Sequence, residues 1–171
     1  MDPIEIDFAR WEATPPPELF GDAIWRLPAY RLSRYLALAV RDDVHVIRSR
    51  SANLADQLER SVDSIGINIA EGYSRVHGRE RARFYEYAMG SAREAREWYA
   101  RAEVYLHDGV ALSRAKLLTR IIKILTVAIP QERAGSSERR MREAATRAKA
   151  AAGDDKSGSD TASSSSPSKQ S

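Results

Sequence analysis

The sequence predicts an all-α fold, an antiparallel up-down four-helix bundle, and three observations carry that expectation. Four stretches of ~20 residues repeat apolar side chains at helical spacing. No stretch alternates apolar and polar residues with period two between hairpin turns, as a half-buried strand does. The four stretches are joined by short connections, which favour antiparallel neighbours.

The first helix follows Pro28, whose fixed φ and missing N–H suit an opening turn. It sets Leu32, Leu36, Ala39, Val40, Val44 and Ile47 on one stripe. The second begins near Ser51 and Asn53, whose side chains can accept from orphan backbone N–H groups. Its stripe is Leu54, Leu58, Val62, Ile65, Ile69 and Tyr73. The third follows Gly78 and carries Phe84, Tyr85, Ala88, Ala92, Ala95, Tyr99, Ala102 and Leu106. The fourth follows Ser113 with Leu118, Ile121, Ile122, Leu125 and Ile129, and Pro130 is expected to end it by removing a backbone donor.

These helices fill residues 20–131. Residues 1–19 read as an acidic, proline-containing leader with Pro15, Pro16 and Pro17 as a stiff spacer, docking through Phe8 and Trp11. Residues 132–152, rich in Ala, Arg and Glu, read as a charged, weakly held helical extension. The Ser-rich tail 153–171 buries too little surface to offset chain entropy and is expected to be disordered.

A length of 171 residues fits one ordinary domain, and 43% hydrophobic residues suffice for a core. There is no cysteine, which removes disulfides, thiolate metal sites and cysteine nucleophiles and suits a reducing cytoplasm. The acidic start M-D-P-I-E-I-D-F lacks the apolar run of a secretory signal. No stretch approaches the ~18 apolar residues of a membrane span. The expectation is a soluble cytoplasmic protein. Residues 1–19 hold one basic and five acidic groups, whereas 20–131 hold 18 basic and 13 acidic. The bundle is therefore moderately basic, and nearly all of that charge is arginine, which grips phosphates in a bidentate way.

The most informative stretch is residues 61–75, S-V-D-S-I-G-I-N-I-A-E-G-Y-S-R. At ~100° per residue, Ser64, Asn68, Glu71 and Arg75 fall within a ~60° arc opposite the main apolar stripe. Such a line is usually a solvated face. Here Ile67 and Ala70 flank it, and Gly66 and Gly72, poor helix formers, suggest close backbone approach. The face is thus a candidate contact with another helix or subunit, with Asn68, Glu71 and Arg75 bonding across it.

In the third helix, Gly90, Ser91 and Ala92 form a small-residue patch that suits tight packing, and Ser91 joins the candidate polar network. Its outer face sets Arg79, Arg83, Arg93 and Arg101 against Glu86 and Glu97. Such a face is normally only solvated. It becomes a nucleic-acid surface if symmetry multiplies it, because weakly basic copies add phosphate contacts.

Metal and hydrolase readings are poor. The paired Glu-x-x-His motifs of di-metal bundles are missing, and His45, His77 and His107 are scattered. No glycine-rich phosphate loop or G-x-S-x-G elbow occurs, and no metal or cofactor is expected. Arg101 and His107 have the R-x(4–6)-H spacing of HEPN-type ribonucleases, in which histidine would act as acid–base and arginine would hold the scissile phosphate. With 22 arginines in the chain, a chance match is the commoner explanation.

The run N-I-A-E-G at 68–72, with Ser64 and Ile65 before it and Arg75 after, resembles the signature of the bacterial 23S rRNA intervening-sequence proteins. Arg79, Glu80, Arg83, Phe84, Ala88, Gly90, Ser91 and Glu94 fit that family's continuing pattern, as do Gln57, Arg60 and Ser61 upstream. Departures are Gly66, where the family often has proline, and Arg96, where it tends to be acidic. The resemblance spans roughly residues 25–131. It implies a homopentamer of four-helix protomers around a central pore. It also implies kinship with the accessory variability determinant of diversity-generating retroelements, a basic pentamer that binds nucleic acid and a reverse transcriptase. The expected function is therefore a non-enzymatic scaffold that self-associates and binds RNA or another nucleic acid through Arg79, Arg83, Arg93 and Arg101. The alternatives are a metal-independent HEPN-like ribonuclease using Arg101 and His107, and a structural protein-interaction module.

Overall fold

The computed structural model describes residues 3–14, 16–19 and 21–154. Among them the chain is all-helical, with no strand. The helices are α1 (Pro3–Glu12), α2 (Pro28–Arg48), α3 (Ala52–Tyr73), α4 (Gly78–Ala102) and α5 (Val110–Asp154), with 3-10 turns at Pro17–Leu19, Ala23–Arg26 and Glu103–Tyr105.

Local chemistry sets the boundaries. Pro28 occupies the first turn of α2, and the Ser51 hydroxyl accepts from the Leu54 N–H to cap α3. Asp22 caps the 3-10 turn before α2 by accepting from the Ile24 N–H. Gly109 has φ +80, a left-handed geometry that glycine adopts without a Cβ clash, and the chain turns there into α5. The expected stop at Pro130 does not occur, since Pro130 lies inside α5. The proline leaves the carbonyl of Thr126 without its donor, but Thr126 and Pro130 are exposed, so water can satisfy the group.

The chain forms two compact units, Met1–Arg133 and Ala134–Ser171. In the first, the apolar stripes converge on one core. Leu32, Leu36, Val40 and Ile47 of α2 are buried with Leu58, Val62, Ile65 and Ile69 of α3. The matching α4 stripe is almost all alanine and tyrosine: Ala82, Tyr85, Ala88, Ala92, Ala95 and Tyr99. Small side chains let the neighbouring helices come close, and the two tyrosines fill the remaining volume. From α5, Leu117, Leu118, Ile121, Leu125 and Ile129 complete the core.

Cross-helix contacts tie neighbours together. A Cβ on Gly66 would stand 3.1 Å from the Ser33 hydroxyl of α2, and one on Gly72 would stand 2.9 Å from the Phe84 Cβ of α4. Arg81 of α4 donates to Glu132 of α5 at 3.0 Å, and Arg96 donates to Thr119 at 3.5 Å. In the leader, Phe8 is buried in the core and Trp11 packs against it, as those residues were expected to do. Pro15 lies outside the described residues. In the second unit, residues 134–154 are helical, and Met141 and Ala144 are exposed. Of the Ser-rich tail, Gly153 and Asp154 close the helix, and 155–171 lie outside the described residues.

Candidate functional site

The polar line of α3 sits on the flank that borders α4. Ser64, Asn68 and Arg75 are half-buried there and Glu71 is exposed. The Asn68 side-chain amide donates to the Ser64 carbonyl at 2.8 Å, and Arg75 pairs with Glu71 one turn away. These bonds are local to the helix. The reach to α4 is made by Arg75, whose guanidinium lies 4.9 Å from the Phe84 ring centroid and whose carbonyl accepts from Arg81 at 2.9 Å. The Nε atoms of Arg75 and Arg81 are buried without a hydrogen-bond partner among the described residues. Ile67 is 67% exposed at the outer crest of α3. The close approaches inferred from Gly66 and Gly72 are both to helices of the same chain. Gly90 differs, because a Cβ there would meet nothing within 4 Å, and the Ser91 hydroxyl bonds only the Tyr87 carbonyl.

On the outside of α4, Arg79, Arg83, Arg93 and Arg101 are all exposed and fall within a ~80° arc. Two of them lean on aromatic rings. Arg83 lies 5.6 Å from the Tyr87 ring and donates to its hydroxyl, and Arg101 lies 4.7 Å from the Trp98 ring. Glu94 accepts from the Trp98 indole, and Glu86 pairs with Arg133 of α5. The arc therefore alternates arginine with carboxylate, holding both aromatic surface and phosphate-gripping groups.

Arg101 and His107 lie in different elements: Arg101 is in the last turn of α4, and His107 follows the 3-10 turn Glu103–Tyr105. Beside them, a groove of about 290 Å³ is lined by Arg96, Glu97, Ala100, Glu103, Ala111, Leu112 and Ala115. Among the described residues no group of three metal-binding side chains occurs, and no helix is long and apolar enough to cross a membrane.

A family model described as 23S rRNA-intervening sequence protein matches residues 26–127. The chain belongs to that family. The match begins just before α2, runs through α3 and α4, and ends in α5. It covers the polar line and the arginine face alike and excludes α1. No curated protein matches the chain.

Within this family member, the strongest polar feature was not singled out by residue spacing. Asp43 of α2, Tyr99 of α4 and Arg114 of α5 meet inside the bundle. The Tyr99 hydroxyl and the Arg114 Nε each donate to the Asp43 carboxylate at 2.8 Å. Burial, followed by the Asp43 charge and hydrogen bond, pushes the Tyr99 hydroxyl well above its usual range. Burial alone would lower the Arg114 guanidinium, but the hydrogen bond and charge of Asp43 reverse this and raise it. A signal existed: Asp43 is seven residues after Leu36 and Arg114 four before Leu118, so both stand on apolar stripes.

Proposed function

We propose that this intervening-sequence protein is a non-enzymatic scaffold. Its protomer is an antiparallel up-down four-helix bundle, five copies close into a ring, and RNA binds across the outer face of α4. Support for the topology comes from the contact register. Arg81 meets Glu132 while Arg96 meets Thr119, and Ser33 meets Gly66 while Arg48 meets Asp56, so residue numbers run in opposite directions across α4 and α5 and across α2 and α3. The polar line of α3, with Glu71 exposed and Ile67 exposed beside it, is the surface we assign to contact between copies.

The observation that carries RNA binding is the arc of four exposed arginines, two already held against aromatic rings. Arginine over an aromatic ring offers both a phosphate grip and a stacking platform. One copy alternates such groups with glutamates and binds weakly. Five copies multiply the phosphate contacts. A reverse transcriptase is the protein partner that the retroelement kinship puts forward.

Light scattering tests assembly, and a mass near five protomers is expected. Filter binding of RNA across a salt series tests the surface. Replacing Arg83, Arg93 and Arg101 by Ala should weaken binding at all sequences and reduce the salt slope by ~2. Binding that is absent or indifferent to salt sinks the RNA reading in favour of a protein partner. RNA cleavage that disappears in His107→Ala would replace the scaffold by the ribonuclease.

A further inference from the structure

We propose that α1 is an acidic strap over a second nucleic-acid surface, on α2 and α5, and that releasing it opens a site for single-stranded polynucleotide. This surface is distinct from the α4 face and does not depend on it.

The strap is seated by apolar contacts across two helices. Phe8, 6% exposed, packs edge-on against Tyr35 of α2 at 5.4 Å and lies 5.6 Å beneath the Arg120 guanidinium of α5. Trp11 meets Trp25 at 5.4 Å and Tyr35 at 5.5 Å. Carboxylates then pair with the cations of the face. Glu12 bonds Arg31 at 3.0 Å, and Glu18 lies 3.6 Å from Arg34. The Arg31 guanidinium also donates to the Trp25 carbonyl at 2.6 Å, locking that residue beside the arginines.

Charge identifies the competitor. Residues 1–19 carry five acidic groups against one basic. Residues 110–131 of α5 carry four cations and no carboxylate, and Lys116, Arg120 and Lys123 share a ~60° arc. The α4 face, by contrast, mixes its arginines with Glu86, Glu94 and Glu97. The strap therefore lies against a stretch of α5 that carries cations and no carboxylate, beside Arg31 and Arg34 of α2. Removing it would leave Arg31, Arg34 and Arg120 around the rings of Trp25 and Tyr35. Cations tracking a backbone, interleaved with aromatic rings on which bases stack, are the chemistry that holds a single strand. Duplex keeps its bases stacked and cannot use the rings, so the site selects single strands. The strap lies outside the family match, whereas Arg31, Arg34 and Arg120 lie within it.

The test is fluorescence anisotropy of a labelled oligouridylate with full-length protein at low salt. Phe8→Ala with Trp11→Ala removes the apolar seats, and binding should tighten by about ten-fold or more while an RNA duplex gains less. Adding Arg34→Ala and Arg120→Ala should return affinity to the wild-type level. Adding Arg83→Ala and Arg101→Ala instead should leave the gain in place. Glu12→Gln with Glu18→Gln keeps the packing and should give a smaller, few-fold gain, which decides the matter if the first variant loses its helical circular dichroism. The proposal is overturned by folded variants that show no gain, by a gain that survives loss of Arg34 and Arg120, or by an equal gain for duplex. A wild-type chain that ignores RNA while the released variant binds it would sink the α4 reading and sustain the strap.

Discussion

Two sets of opposite charges in this molecule use the same chemistry to different ends. At the Asp43 node, a carboxylate with 7% of its side chain exposed takes bonds from Tyr99 and Arg114 and joins three helices. On α3, Glu71 and Arg75 pair one turn apart with 47% and 41% exposed. Water decides the contrast. The exposed pair loses little hydration on forming and gains little, whereas the buried carboxylate has given up its water and depends on both donors. The node specifies how the helices register. The exposed pair only links two turns of α3.

The comparison breaks most directly at Asp43. Asp43→Ala leaves Arg114 and the Tyr99 hydroxyl without their acceptor and should cost ~3–5 kcal/mol in urea unfolding. A loss below ~1 kcal/mol would mean that the node is solvated after all. Next in size is Gly72→Val, whose branched side chain has no room against Phe84 and Tyr85 and should cost ~1–3 kcal/mol. Its counterpart Gly90→Ala meets open space and should stabilise by up to ~1 kcal/mol, read in the same melts.

Alkaline pH sharpens the contrast from another side. Burial, with smaller contributions from neighbouring charges, pushes Tyr85 up to about 12, and Tyr99 stands well above 10. Both hydroxyls are neutral below the unfolded value near 10, so their stabilisation is complete there. Above it, the unfolded chain releases protons that the fold retains, and stability falls as pH rises towards the folded values. Melting temperature should decline above about pH 10, in step with tyrosinate absorbance, and Tyr99→Phe should remove part of the decline. The smallest effect is that of Glu71→Gln, at most ~0.5 kcal/mol on protomer stability. If the pair meets a second copy, the same substitution lowers the mass seen by light scattering while the melt barely moves.

Much of the bundle was legible because burial follows the helical period. Leu36, Leu58, Ile65, Ala92, Tyr99, Leu118 and Ile121 were all placed inward by spacing alone, and all are buried. The start of α2 at Pro28 and the Ser51 cap followed from single-residue chemistry. Pro130 misled because a proline's cost depends on whether water can reach the carbonyl it frees, and that is set by the neighbouring helices. The polar line of α3 was placed on one face, but nothing in its spacing showed that Gly72 serves contact with α4 rather than another copy.

The amino-acid order by itself determined the apolar faces of α2 to α5 and the family, because each depends on periodicity or a local pattern. Only the tertiary structure decided that Asp43, Tyr99 and Arg114 form one buried node, and that Phe8 and Trp11 seat an acidic helix on the cationic side of α2 and α5. These residues lie up to more than a hundred positions apart in the chain. No local period relates them, and only the packed helices bring their charges and rings within bonding distance.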